Sequence, residues 1–167
     1  SHLHKDICDS LEKDNLKEVL EIPRDHFKST ICSEAFPMWR ALPLTAKHEA
    51  YMRALGYGDE FIRWMKYAHN QDARNLLVSA NITNAAKLGR RIDFHYNNNG
   101  FFRGLFPEIL PEKSDLWSSF SMTQKRSKTS TSAQGEGTFD FLGVGAALQS
   151  RHYDLIVEDD LVGLDAL

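Results

Sequence analysis

The feature that most constrains this chain is a stretch in which a short apolar run leads through a polar loop into a helix. The apolar run covers residues 19–22, and the loop begins at Pro23 and closes on Lys28, Ser29 and Thr30. Beyond the loop, apolar side chains recur at helical spacing at Ile31, Ala35, Met38, Trp39 and Leu42. This order of strand, loop, Lys-Ser/Thr and helix is the layout of a phosphate-binding loop, where helix N–H groups attract phosphate oxygens.

In such a loop the lysine reaches the outer phosphates of a nucleotide and the hydroxyl that follows coordinates Mg²⁺. The common pattern has one glycine six residues before the lysine and another directly before it. Here Ile22 and Phe27 occupy those two places. Taken alone, the stretch therefore also fits an ordinary strand–turn–helix with Lys28 on the surface.

A second informative stretch is an apolar run, residues 155–157, that ends in three acids, Glu158, Asp159 and Asp160. Charges next to a buried strand are costly unless they bind something, and ligands of open α/β sheets gather at the carboxyl ends of strands. One carboxylate there can hold Mg²⁺ on phosphates, and another can orient and activate water. The alternative is an acidic strand end that leads into a loop.

Strands and helices alternate along the rest of the chain. The predicted strands cover residues 18–22, 75–81, 138–144 and 153–160. Predicted helices cover residues 3–15, 31–42, 45–70 with a break at 56–58, and 101–106. One more predicted helix is capped by Thr83 or Asn84, and its buried stripe is Ala85, Leu88, Ile92 and Tyr96. This alternation predicts an α/β fold with a mostly parallel central sheet flanked by helices.

Composition limits the function classes. The 167 residues suit one domain, over 1–167, and a net charge of −3 argues against a nucleic-acid binder that works by bulk charge. Residues 125–128 (Lys-Arg-Ser-Lys) are the densest basic cluster, and they fit either a solvated hairpin or a contact with a DNA backbone. No apolar run approaches the ~20 residues of a membrane span, so no membrane-spanning helix is expected.

Together these stretches resemble the ATPase domain of the large terminase subunit of tailed bacteriophages, the motor that packages DNA into proheads. The resemblance rests on residues 23–30 (Pro-Arg-Asp-His-Phe-Lys-Ser-Thr), residues 77–80 (Leu-Val-Ser-Ala), and the segment from Gly143 to Asp160. A loop that starts with arginine and lacks glycine is a deviant form found in terminases.

The resemblance implies a P-loop NTPase fold of the additional-strand, RecA-like kind, an ATPase that uses ATP and Mg²⁺. It further implies a homo-oligomeric ring on the portal protein, a small terminase subunit and double-stranded DNA as partners, and action in the cytoplasm of the infected bacterial host. The nucleotide-binding residues it implies are Pro23, Arg24, Asp25, His26, Phe27, Lys28, Ser29 and Thr30. It also assigns roles: phosphate contacts to Arg24 and Lys28, the metal to Ser29 and Asp159, and catalysis to Asp160.

Two departures from the family leave alternatives open. Glu158 occupies a place that is usually apolar, so the catalytic acid is either Asp160 or Glu158. The chain is expected to be an N-terminal fragment, from which nuclease activity is not expected. The alternative functions are another P-loop translocase of helicase type, and a nucleotide-binding docking module that does not hydrolyse ATP. Arg103 and Arg151 are candidates for an arginine that acts on a neighbouring subunit.

Overall fold

The computed structural model describes residues 2–11, 19–20, 27–107, 110, 117–131, 133, 135–148 and 150–161. The helices are α1 (His2–Leu11), α2 (π-helical over Ser29–Ala35 and α-helical over Phe36–Arg40), α3 (Ala46–Ala54), α4 (Asp59–Ala68), α5 (Ile82–Asn98) and α6 (Gly100–Leu105). The strands are β1 (Asn75–Ser79), β2 (Trp117–Phe120), β3 (Gln124–Ser127), β4 (Phe139–Gly143) and β5 (Leu155–Asp159). The predicted strand over 18–22 lies mostly outside the described residues.

The described strands form one sheet in the order β2-β3-β4-β1-β5. β1 lies between β4 and β5 and runs parallel to both, whereas the β2–β3 hairpin adds antiparallel strands beside β4. The predicted α/β class with a parallel centre is therefore confirmed. Because β1, β4 and β5 are parallel, their carboxyl ends meet at one edge of the sheet.

The main core forms where α5 packs on the sheet. The predicted stripe of Ala85, Leu88, Ile92 and Tyr96 is buried, and its partners in the core include Leu77, Phe139 and Phe141. The packing is close at Gly89, because a Cβ atom there would lie 3.1 Å from the Phe141 ring and the ring would have to shift. The helical periodicity thus predicted correctly which face of α5 meets the sheet.

A smaller apolar cluster joins α3 and α4, with Met52, Ile62 and Met65 at its centre. Phe61 and Trp64 pack against it half-buried. Within the described residues, no helix has both the length and the apolar character needed to cross a membrane.

One predicted helix start is wrong by a few residues. Asn81, rather than Thr83 or Asn84, caps α5: its side chain accepts a hydrogen bond of 2.9 Å from the backbone N–H of Asn84. The chain passes from β1 into α5 with only two intervening residues, so the cap falls directly at the edge of the sheet.

Candidate nucleotide-binding site

The predicted lysine and serine lie at the beginning of α2. Lys28 is in the N-cap position and Ser29 is the first helical residue, and the first intrahelical hydrogen bond runs from Ile31 N–H to the Phe27 carbonyl at 2.9 Å. The N–H groups of a helix's first turn have no partner within the helix. This end of α2 therefore presents a cation, a hydroxyl and free N–H groups together.

Phe27 has a backbone conformation that is unusual for its side chain. Its φ angle is +55°, in the left-handed region, which glycine adopts easily and a bulky residue does not. In the common phosphate-binding loop this position, directly before the lysine, is a glycine. The backbone of Phe27 thus has a conformation that a glycine at this position would adopt more easily.

Two acids at the carboxyl end of β5 meet the start of α2. Ser29 Oγ lies 3.1 Å from Asp159 Oδ1, and Lys28 Nζ lies 3.3 Å from Asp160 Oδ1. Asp159 is buried, while the side chain of Asp160 is 74% exposed. The structure thus brings the two predicted halves of the site together.

The strand register explains why Asp159 reaches Ser29. Asp159 is paired with Ser79 of β1, which is paired in turn with Gly143 of β4, so these three residues form a row at the carboxyl edge. Gly143 has no room for a side chain, because a Cβ atom would lie 2.6 Å from the Ile82 backbone nitrogen. The row therefore fixes the beginning of α5 beside the site.

Glu158 lies on the other side of the sheet. Successive residues of a strand face opposite sides, and burial alternates along β5 from the exposed Glu158 to the buried Asp159. The contacts to Lys28 and Ser29 are made by Asp160 and Asp159. Thr30 is exposed one position after Ser29, and Pro23, Arg24, Asp25 and His26 lie outside the described residues.

The donors at this site suit Mg²⁺ bound together with a nucleotide. Mg²⁺ prefers oxygen ligands, keeps several waters, and is bound by one or two protein groups plus substrate phosphates. Ser29 Oγ and Asp159 Oδ1 supply such a pair. In the described part of the chain no group of three or more His, Cys, Asp or Glu side chains could hold a metal by itself, so a metal here would need the phosphates as ligands.

A buried network at the opposite edge of the sheet involves Arg151. Asp140, fully buried in β4, accepts hydrogen bonds from the Tyr153 hydroxyl at 2.8 Å and from Arg151 Nη1 at 3.4 Å. Burial, together with the bond to Asp140, raises the pKa of Tyr153 to about 12. The described contacts of Arg151 are thus with Asp140 and Tyr153 of its own chain. Arg103, the other candidate, donates to the Asn97 carbonyl at 3.0 Å.

The basic cluster at residues 125–128 is only partly solvated. Lys125 is buried in β3, with its ammonium 5.9 Å from the Trp117 ring, and burial lowers its pKa. Trp117 in turn donates to Asp93 of α5 at 2.8 Å. Residues 124–127 form one strand of a hairpin with β2, but Lys125 packs inward instead of lying in solvent, so the cluster presents fewer exposed charges than its sequence suggests.

Sequence reasoning missed a basic surface on α5. Lys87, Arg90, Arg91 and His95 line a groove of about 400 Å³ together with Phe94 and with Glu34 of α2. The signal was present in the sequence, because positions 87, 90, 91, 94 and 95 share one face of a helix. That face lies opposite the buried stripe.

Comparison of the chain with protein-family models, with curated proteins and with solved structures finds no match in any of the three.

Proposed function

We propose that this chain is an ATP-hydrolysing domain of the P-loop type and that it belongs to a DNA-packaging motor of the terminase kind. The observation that carries the ATPase proposal is the double contact between the start of α2 and the end of β5, Lys28 with Asp160 and Ser29 with Asp159. In P-loop NTPases a lysine binds the phosphates, a hydroxyl and a carboxylate hold Mg²⁺, and a second carboxylate can serve as the general base.

Each of these groups has a distinct role in the proposed reaction. Lys28 and the free N–H groups at the start of α2 bind the outer phosphates and neutralise the charge that develops on them. Ser29 and Asp159 would hold Mg²⁺, which would neutralise phosphate charge as well. Asp160 orients the water that attacks the γ-phosphate in line and accepts its proton.

The Lys28–Asp160 ion pair suits this division of roles. Both side chains are partly exposed, at 32% and 74%, so the pair contributes little to stability and separates readily. A phosphate that binds Lys28 replaces Asp160 as its partner. The carboxylate is then free to accept a hydrogen bond from water at the same place.

The test measures nucleotide binding and phosphate release separately for four variants of the whole chain. Lys28→Ala and Asp159→Ala should lose both Mg²⁺-dependent nucleotide binding and hydrolysis. Asp160→Asn should bind but not turn over, because an amide keeps the shape and cannot take the proton. Glu158→Gln is the matched control, with the same kind of change one position before Asp159, and should keep most of both activities.

Three outcomes would change the proposal. Normal hydrolysis by Lys28→Ala, Asp159→Ala and Asp160→Asn would contradict the ATPase assignment. Loss of turnover in Glu158→Gln but not in Asp160→Asn would make Glu158 the catalytic acid. Nucleotide binding without turnover in the unaltered chain would favour the docking module over the motor.

The wider assignment rests on the resemblance to terminases. It proposes double-stranded DNA, a portal protein and a small terminase subunit as partners, a ring of subunits, and action in the cytoplasm of an infected bacterium. Arg24 is proposed as a second phosphate contact. Because Arg offers a planar set of donors that Lys lacks, this role predicts that lysine replaces Arg24 only in part.

A further inference from the structure

The outer face of α5 carries a concentrated positive charge. Lys87, Arg90, Arg91 and His95 lie along one side of the helix beside the half-exposed ring of Phe94. From position 87 to position 95 this basic stripe is about 12 Å long, at 1.5 Å rise per residue. The whole chain has a net charge of −3, so the stripe is opposite in sign to the chain that carries it.

The charges of the basic stripe are only partly neutralised within the described residues. Glu34 is the one acid that lines the groove, and Arg91 Nη1 contacts it at 2.8 Å. Lys87 donates to Asn84 Oδ1 at 3.1 Å, which is a neutral partner. No described residue forms an ion pair with Arg90. The groove therefore keeps an excess of positive charge available to a ligand.

We infer that the basic stripe binds the sugar–phosphate backbone of double-stranded DNA. The inference deepens the proposed motor function and rests on it for the choice of DNA as the polyanion. Each strand of a duplex carries one phosphate per ~3.4 Å of helix axis, so a stripe of about 12 Å can contact more than one phosphate. Arginine and lysine are the residues that contact phosphate oxygens in such complexes.

A protein partner fits the basic stripe less well. The fully buried centre of a protein interface is depleted of charged residues other than arginine and is rich in aromatic residues. The groove contains three permanently charged side chains, Lys87, Arg90 and Arg91, and a single aromatic ring, Phe94. This composition favours a flexible contact with a line of phosphates over a packed apolar contact.

The basic stripe is also connected to the nucleotide site. Glu34 lies on the first turns of α2, whose beginning carries Lys28 and Ser29, and Arg91 joins that residue to α5. Helix α5 itself begins at its cap, Asn81, at the carboxyl edge of the sheet. Both helices that border the groove thus start at the site where the nucleotide is proposed to bind.

The test measures binding of a fluorescently labelled DNA duplex to the whole chain, by anisotropy, over a range of salt concentrations and without nucleotide. The double variant Lys87→Ala/Arg90→Ala should bind more weakly. The slope of log K against log salt should become shallower by about 1.8, since each phosphate contact contributes ~0.9. Both side chains are exposed, so the fold should persist, which circular dichroism checks.

The control is Arg63→Ala/Lys66→Ala, which removes the same charge from the exposed face of α4. It should leave the salt slope unchanged. An equal loss of duplex affinity in both double variants would show that only the net charge of the chain matters, and it would overturn the inference. Failure of the unaltered chain to bind duplex at low salt would overturn the inference too. So would displacement of the labelled duplex by polyglutamate at a much lower concentration of negative charge than unlabelled duplex requires.

Failure of this inference can be distinguished from failure of the proposed ATPase. Lys28→Ala should bind the duplex as the unaltered chain does, because the assay contains no nucleotide. If Lys28→Ala hydrolyses ATP normally while the Lys87→Ala/Arg90→Ala variant loses DNA binding, the ATPase proposal fails and the DNA surface stands. The reverse pattern would retain the ATPase and reject the surface.

Discussion

At the scale of single residues, Phe27 combines a costly backbone conformation with a position next to Lys28. A non-glycine residue in the left-handed region costs of order 1–2 kcal/mol, and such conformations cluster at functional sites. The Phe27 side chain is 64% exposed, with an edge contact to His4, so packing recovers little of that cost. The contacts of the Phe27 side chain therefore do not account for its backbone conformation.

We expect Phe27→Gly to be more stable than Phe27→Ala by about 1 kcal/mol, measured as the free energy of unfolding in urea. Both variants lose the same ring contact, but only glycine removes the strain of a positive φ. The difference in stability between the two variants thus measures the free-energy cost of the positive φ angle. If Phe27→Ala is the more stable of the two, the left-handed conformation at this position is wrong.

His69 makes stability depend on pH. It is buried, its Nδ1 lies 2.9 Å from the Trp39 carbonyl, and burial lowers its pKa from 6.5 to about 4. Between these two values the unfolded chain binds more protons than the folded chain. Stability from this group is therefore complete above pH 6.5, falls as the pH decreases, and stops falling near pH 4.

We expect the His69 contribution to reach about 3 kcal/mol over that range. In His69→Gln, whose amide can still donate to the Trp39 carbonyl, the free energy of unfolding should decrease less between pH 6.5 and pH 4 than in the unaltered chain. Urea denaturation of both proteins at several pH values measures the difference. Parallel pH profiles would show that the pKa of His69 is the same in the folded and the unfolded chain.

At the scale of elements, α2 and α5 are joined by the pair of Glu34 and Arg91. The side chain of Glu34 is 6% exposed and that of Arg91 is 58% exposed. Arg91→Ala would leave a buried carboxylate without its cation, and we expect it to cost about 2 kcal/mol of stability. Adding Glu34→Gln should restore most of this loss, because a neutral amide tolerates burial better.

The matched control for this prediction is Arg90→Ala, one position earlier on the exposed face of α5. Its effect on the free energy of unfolding should stay within about 0.5 kcal/mol. Additive effects of Arg91→Ala and Glu34→Gln in the double variant would contradict a direct interaction between the two side chains.

Elements with strong periodicity were predictable, whereas their ends and special geometries were not. The stripe of α5 and the strands at 75–79, 139–143 and 155–159 follow from local apolar patterns. The π-helical start of α2 does not, because the 3.6-residue pattern favours an α-helix. The inward position of Lys125 depends on how the hairpin pairs with β4 and on Trp117 across from it, which local sequence does not specify.

At the scale of the whole molecule, the two motifs of the candidate site could be predicted from the sequence, but their spatial arrangement could not. The sequence indicated Lys28, Ser29, Asp159 and Asp160, and the parallel arrangement of β1, β4 and β5 is what places the end of β5 beside α2. The order of the strands and the contact of Lys28 with Asp160 instead of Glu158 depend on register and strand orientation, which appear only in three dimensions. Asp140 was missed because its neighbours Phe139 and Phe141 make its segment look uniformly apolar.

The double contact at the site joins residues that are far apart along the chain. Lys28 and Asp160 are 132 positions apart, and Ser29 and Asp159 are 130 apart. In the unfolded chain these groups are separated, so a ligand that bridges them binds only the folded form. Such a ligand acts as a reversible cross-link between the two ends of the domain, and at 100 times its Kd it adds about 2.7 kcal/mol to the free energy of unfolding. Occupancy of the site and integrity of the fold are therefore two aspects of one equilibrium in this molecule.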